Sequence, residues 1–367
     1  MRYISIMGTP DEIEDIELVV ANKPTTVSDP LENALLLKVK RLTSAKGQLV
    51  LPCVPALLDE YVEQFHRLLV ALGQNFTPSE IQALRQLVQK KLTEGYNASP
   101  HARLVFKYEP PEPTHGLTQG LKLTVTTEIL TIENKYQRWL TSREGPLFGS
   151  HPDAKLMAIA SQLGSAAQAP ILDVGAGVGR NTLPLARLGH PVDAVELTPE
   201  FAQIIANGVK AENLPVRVVQ SNILNPALRL PQKYYKLAVV AEVISHFRAL
   251  EEVRTLLKLM CEAIQPGGLL LFSTFVAAEG FEPDEKVREM SQVQWSYLLT
   301  RSELNWGMQG LPLEILSDES VYEYERTHLS AEAWPPTPWF EHWALGRDVF
   351  PIPNPPMSLR WILCRVN

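Results

Sequence analysis

Hydrophobic positions follow two different rules along the chain, and the change falls near residue 150. In PALLDEYVEQFHRLLVALG (55–73) the side chains Leu58, Tyr61, Val62, Phe65, Leu69 and Leu72 recur at helical spacing, with Gly73 as the stop. Thr77-Pro78-Ser79-Glu80 reads as a capping box with proline at the first helical position. A second helix is expected from there to about Glu94, stopped by Gly95, and the two make a helical hairpin. ARLVFKYEP (102–110) and GLKLTVTTEI (120–129) are rich in β-branched and aromatic residues with partial alternation, which predicts two paired strands. The first 50 residues show no clear period, and LENALLLKVKRL (31–42) fits a helix or an extended segment.

Beyond residue 150, continuous apolar runs alternate with helical patterns. ILDVG, VDAVEL, VRVVQ, LAVVAEV and LLLFSTFV are interleaved with LPLARLG, PEFAQIIANGVKAEN and EEVRTLLKLMCEAI. Unbroken apolar strands between helices predict a parallel sheet buried on both faces. The ending differs: LEILSDESVYEYE and LRWILCRVN are strand-like and flank a Pro/Trp-rich stretch, so the last strands are expected to pair antiparallel. Residues 1–132 are read as an α+β accessory domain and 133–367 as the main domain, the latter opening with a helix and a Gly/Pro-rich connection over 133–154.

Composition changes this picture little but excludes several classes. Of 367 residues, 45% are hydrophobic and 20% charged, an ordinary balance for a chain with a sizeable core. The net charge of −7 and the lack of a dense Lys/Arg run argue against a nucleic-acid partner. Cys53, Cys261 and Cys364 stand far apart without CxxC spacing, which predicts no metal site and a reducing compartment. The start MRYISIMGTPDEIEDIELVV lacks a basic segment followed by an apolar core, and no apolar run is long enough to span a membrane. The expectation is a soluble, cytoplasmic protein with no membrane partner.

The candidate chemistry starts at PILDVGAGVGRN (170–181). Gly175, Gly177 and Gly179 follow an apolar strand, and alternating glycines let the main chain approach a ligand closely. The spacing GxGxG is one residue short of the dinucleotide fingerprint GxGxxG, and Asp173 stands two residues ahead of the first glycine. A pyrophosphate would find that charge unwelcome. This combination resembles motif I of the class I S-adenosylmethionine-dependent methyltransferases. Four further pieces are similar in order: Glu196 at the end of VDAVEL, Ser221-Asn222 after VRVVQ, the segment LAVVAEVISHF, and the turn QPGGLLLF. Two departures stand out: Asn222 where the family usually has aspartate, and Lys236 where an acid usually starts the fourth strand. The LRWIL ending is similar, loosely, to bacterial and cyanobacterial methyltransferases.

The resemblance implies an α/β, Rossmann-like seven-stranded sheet with an antiparallel last strand and S-adenosylmethionine as cofactor. It implies a cofactor site of Asp173, Gly175, Ala176, Gly177, Gly179 and Asn181 from the loop. Glu196 and Leu197 would reach the ribose, Ser221, Asn222 and Ile223 the adenine, and Glu242 the reactive end. His246 is read as a general base or as a structural histidine. Tyr136, Trp139 and Arg143 lie one helical turn apart in a segment read as a cofactor cover or a linker helix. AWPPTPWFEHW (333–343) offers Trp334, Trp339 and His342 as a substrate wall or as packing. The absence of an N/D-P-P-Y/F tetrapeptide after the fourth strand moves the expectation toward a small-molecule methyl acceptor. A cofactor-binding scaffold without turnover and an NAD-dependent oxidoreductase are the other readings. The accessory region could hold the acceptor, close the site or form a homodimer interface.

Overall fold

A computed structural model describes residues 30–42, 45–74, 76–110, 121–131, 135–136 and 147–367. The first part holds α1 (Pro30–Leu42), β1 (Gly47–Pro52), α2 (Leu58–Ala71), α3 (Pro78–Ala98), β2 (Arg103–Glu109) and β3 (Lys122–Glu128). The expected hairpin pairs antiparallel from Arg103↔Glu128 to Glu109↔Lys122. β1 joins it on the other side of β2, a strand the sequence did not signal, because six residues ending in proline carry little alternation. The 31–42 segment is helical.

Helix α2 buries Leu58, Tyr61, Val62, Phe65 and Leu69, the spacing read from the sequence. Gly73, at φ +79°, follows it. The capping box at the start of α3 is formed: Thr77 Oγ1 accepts the Glu80 N–H, and Glu80 Oε2 accepts the Thr77 N–H at 2.7 Å. The helix does not stop at Gly95 but runs on to Ala98. Gly95 is there for close approach, since a Cβ would lie 2.5 Å from Cys53 Sγ and 2.7 Å from Thr127 Cγ2. Phe65 and Phe106 stack at 4.2 Å in the core between these helices and the small sheet.

The second part contains α4 (Ala154–Ala160), β4 (Ile171–Val174), α5 (Thr182–Arg187), β5 (Val192–Glu196), α6 (Pro199–Glu212), β6 (Val216–Gln220) and β7 (Tyr235–Val240). It continues with α7 (Leu250–Ala263), β8 (Ile264–Ala277), α8 (Glu285–Val293), β9 (Leu298–Leu299) and α9 (Arg301–Met308). Last come β10 (Leu313–Ser320), α10 (Val321–His328), α11 (Phe340–Ala344) and β11 (Met357–Val366). The sheet order is β10-β11-β8-β7-β4-β5-β6, with the two-residue β9 added beside β8. β11 runs antiparallel to both neighbours, and β4 to β8 are mutually parallel. The α/β class with a reversed last strand is as the sequence implied.

The strand expected over LEILSDESVYEYE is shorter than read. It ends at Ser320, whose hydroxyl accepts the Glu323 N–H and starts α10. Lys236 sits at the start of β7, at the opposite end of the strands from the glycine loop, and its Nζ donates to the Leu163 carbonyl at 2.8 Å. Successive strands run outward in one direction from β4 and in the other from β7. The order therefore reverses between β4 and β7, which opens a crevice at the carboxyl ends of these strands.

Candidate functional site

At that crevice β4 gives way to the glycine loop. Gly175 (φ +71°) and Gly177 (φ +56°) occupy left-handed backbone that L side chains rarely adopt. A Cβ on Gly175 would also come 2.3 Å from Val243 Cγ2. The loop is held from the next strand. Glu196, at the end of β5, accepts the Gly177 N–H on Oε2 and the Thr198 N–H on Oε1, both at 2.8 Å. Burial raises the Glu196 pKa against the lowering effect of these amides. Asp173 is buried and accepts the Thr182 hydroxyl at 2.6 Å, tying β4 to the start of α5. Burial pushes its carboxyl up to about 6.

A second set of contacts crosses the loop. Arg180 Nη1 meets Asp153 Oδ1 at 2.5 Å and Arg180 Nη2 meets Glu242 Oε1 at 3.4 Å. Asn181 exchanges two hydrogen bonds with Asp153, donating at 2.8 Å and accepting the backbone N–H at 3.0 Å. Glu242, just past β7, is held at φ +61°, with its N–H on Ser273 Oγ. Burial lifts its carboxyl to about 7, although Arg180 pulls the other way. Arg180 follows the last loop glycine directly, so the sequence did carry that signal; Asp153 had none.

These elements wall a cavity of about 520 Å³, within the size range of ligand sites. Its far end is aromatic. Tyr136 packs against Phe148 (5.8 Å), Phe201 (5.1 Å) and Trp295 (5.5 Å). His246 lies 5.1 Å from the Trp295 ring, with Nε2 3.4 Å from the Tyr136 hydroxyl. Its Nδ1 is buried and has no hydrogen-bond partner among the described residues. Burial, helped by Lys135, lowers the His246 pKa to about 4, so the imidazole is neutral at pH 7. The Trp295 indole N–H donates to the His101 imidazole, 2.6 Å from Nε2. His101 comes from the first part of the chain, so both parts build this end.

Of the residues singled out from sequence, Asp173, Gly175, Ala176, Gly177, Asn181, Glu196, Leu197, Ser221, Asn222, Ile223, Glu242, His246 and Tyr136 line the cavity together. Gly179 does not; a Cβ there would meet Leu183 and Ile205 at 3.2–3.3 Å. Asn222 Oδ1 accepts the Leu224 N–H at 2.8 Å. Trp139 and Arg143 lie outside the described residues, as does most of the helix expected to open the 133–154 segment. Trp334 and Trp339 do not line the cavity but pack with Tyr322, Phe340 and Trp343 in the core on one face of the sheet. His342 is exposed. The Pro/Trp stretch is packing because its indoles cover apolar side chains of α10 and β8. His101, Phe148, Arg248 and Trp295 escaped the sequence reading; a contact spanning 194 residues, as between His101 and Trp295, leaves no local pattern.

Residues 171–268 match a family model described as a methyltransferase domain. A demethylmenaquinone methyltransferase of Tropheryma whipplei (strain Twist) is 29% identical over 171 residues, 46% of this chain and 61% of the relative. A ubiquinone biosynthesis O-methyltransferase of Proteus mirabilis (strain HI4320) is 27% identical over 107 residues, 28% of this chain and 41% of the relative. The chain thus spans less than two thirds of the length of these curated relatives. Geranyl diphosphate C-methyltransferase from Streptomyces coelicolor A3(2), solved with S-adenosyl-L-homocysteine, has a TM-score of 0.45 at 14% identity, over 63% of this chain and 96% of that one. Over residues 171–268 the chain is therefore similar to methyltransferase domains.

S-adenosylmethionine, the cofactor implied by the sequence resemblance, fits the residues of this site. The glycines leave open backbone where a Cβ would intrude. Asp173, Glu196 and Glu242 line the same cavity, where a ligand with ammonium and sulfonium charges is more welcome than a diphosphate. Among the described residues no group of three or more His, Cys, Asp or Glu is placed to hold a metal ion. No helix among them is long and apolar enough to cross a membrane.

Proposed function

We propose that the protein transfers the methyl group of S-adenosylmethionine, by direct in-line displacement, to O, N or S of a small-molecule acceptor. The observation that carries this reading is one continuous cavity running from the glycine loop and Glu196 to the neutral His246. When bound, the cofactor supplies a methyl group made electrophilic by the sulfonium. The glycine loop, with Glu196 fixing the Gly177 amide, holds the cofactor's backbone-facing side. Glu196 keeps lone pairs for the ribose hydroxyls, and Ser221, Asn222 and Ile223 form the adenine wall. Glu242, braced by Arg180, offers its carboxyl to the ammonium end.

The aromatic end excludes water and orients the acceptor. His246, uncharged and with no Nδ1 partner among the described residues, is placed where it can meet the acceptor's proton. A cavity of this volume suits a small molecule, and the similar demethylmenaquinone and ubiquinone-biosynthesis methyltransferases are named for small acceptors.

Calorimetry tests the cofactor assignment directly. S-adenosylhomocysteine and S-adenosylmethionine should bind, Glu196→Ala should abolish binding, and NADH should not bind. No binding of either adenosyl ligand, or NADH binding lost in the same variant, overturns the reading. Binding without turnover, across a broad acceptor screen, would favour a non-catalytic cofactor-binding role.

A further inference from the structure

The two ends of the cavity carry opposite charge. At the loop end stand Asp173, Glu196 and Glu242, with Arg180 already answered by Asp153 and Glu242. At the aromatic end the charged wall residues are Arg248 and Glu252, and Lys135 Nζ lies 4.1 Å from the Trp295 ring centroid. Glu252 is committed to its own helix, where Oε2 accepts the N–H groups of Arg248 (2.7 Å) and Ala249 (3.1 Å). Among the described residues, Arg248 is held by neutral groups. Its guanidinium lies 4.6 Å over the Tyr96 ring, and Nε donates to Gln292 Oε1 at 3.3 Å. Among the described residues no carboxylate reaches it within ion-pair distance.

A guanidinium with five N–H groups, braced by the Tyr96 ring and hydroxyl and by one amide, still has N–H groups to offer a ligand. That fork matches a carboxylate or phosphate with two parallel hydrogen bonds. The nearby surfaces are flat: Trp295, His101 and His246 are ring faces or edges, suited to a planar molecule.

We propose that Arg248 anchors an oxyanion, carboxylate or phosphate, on a planar acceptor whose nucleophile lies beside His246. The inference rests on the methyl-transfer reading above and narrows it from any small nucleophile to a flat acid. The accessory region takes part in choosing the acceptor, because Tyr96 braces the guanidinium and His101 braces Trp295.

The test uses full-length protein saturated with S-adenosylhomocysteine, titrated with 3-hydroxybenzoate, 3-hydroxybenzamide and phenyl phosphate while Trp fluorescence is read. The first two share ring and hydroxyl and differ in charge. At least one of the two anions should bind about tenfold more tightly than the amide, a gap of one charge-assisted contact. Whichever anion is preferred identifies the oxyanion. In Arg248→Gln the preference should vanish while S-adenosylhomocysteine affinity stays as in the parent. Equal binding of amide and acids, or no binding by any of the three, overturns the proposal and leaves cofactor binding intact. Failure of S-adenosylhomocysteine itself to bind removes the underlying reading along with this one. The comparison within the unmodified protein stands even if the variant does not fold.

Discussion

Glu196 grips the amide of Gly177, nineteen positions earlier in the chain, through Oε2 at 2.8 Å. With Oε1 on the Thr198 amide, one carboxylate fixes both the loop and the turn after β5. A Gln at this position can accept only one of the two N–H groups. Glu196→Gln should therefore weaken S-adenosylhomocysteine binding by roughly tenfold or more, the worth of a charged hydrogen bond. Calorimetry at constant pH checks it; unchanged affinity would mean that the loop keeps its shape without this contact.

Gly175 and Gly164 make a matched pair. Both sit at positive φ, +71° and +83°, yet only Gly175 has a neighbour within 4 Å of a Cβ. Gly164→Ala should cost about 1–2 kcal/mol, the left-handed penalty alone. Gly175→Ala carries that penalty plus the clash with Val243 and should also lose cofactor binding. Thermal unfolding and ligand titration of the two variants side by side decide the point.

The Glu242 carboxyl, raised to about 7 by burial, should make cofactor binding depend on pH. The sign follows from charge: a cationic ligand favours the ionised carboxylate, so binding releases a proton wherever Glu242 is still protonated. Affinity for S-adenosylmethionine should rise between roughly pH 6 and 8, and more steeply than in Glu242→Gln. Titrations near neutral pH in two buffers of different ionisation enthalpy give the proton count; equal counts for parent and variant would contradict this.

Glu325 is the structural counterpart, a fully buried acid that does not line the cavity. Its carboxyl accepts the N–H groups of Ala154 (2.7 Å) and Lys155 (3.2 Å) at the start of α4 and the Trp361 indole N–H at 3.1 Å. Glu325→Ala leaves three donors unmet, so the loss of stability should be roughly 3 kcal/mol or more. Denaturant unfolding measures it, and a loss below about 1 kcal/mol would show that other groups take over the donors.

How much of this could be read from the chain depends on distance along it. The Thr77–Glu80 box and the helix spacing from Leu58 to Leu69 are local, and both are formed. The alternation that gives β4 through β8 is also local, one apolar run and one helix at a time. Gly95 misled because a glycine that ends a helix and one that admits Cys53 look alike in sequence. The indoles of Trp334 and Trp339 stayed open between substrate wall and packing for a related reason: periodicity does not say which side of a sheet an aromatic residue will cover. The Arg180–Asp153–Glu242 and His101–Trp295 contacts depend on chain crossings that only the folded topology makes.

The His101–Trp295 hydrogen bond has a consequence for how such a chain diversifies. One partner belongs to the front third of the polypeptide and the other to the back, so under the proposed function the choice of what is modified can drift while the cradle for the methyl donor stays fixed. A chimera that keeps the back two thirds and borrows its front from another chain should retain its donor and change its clientele.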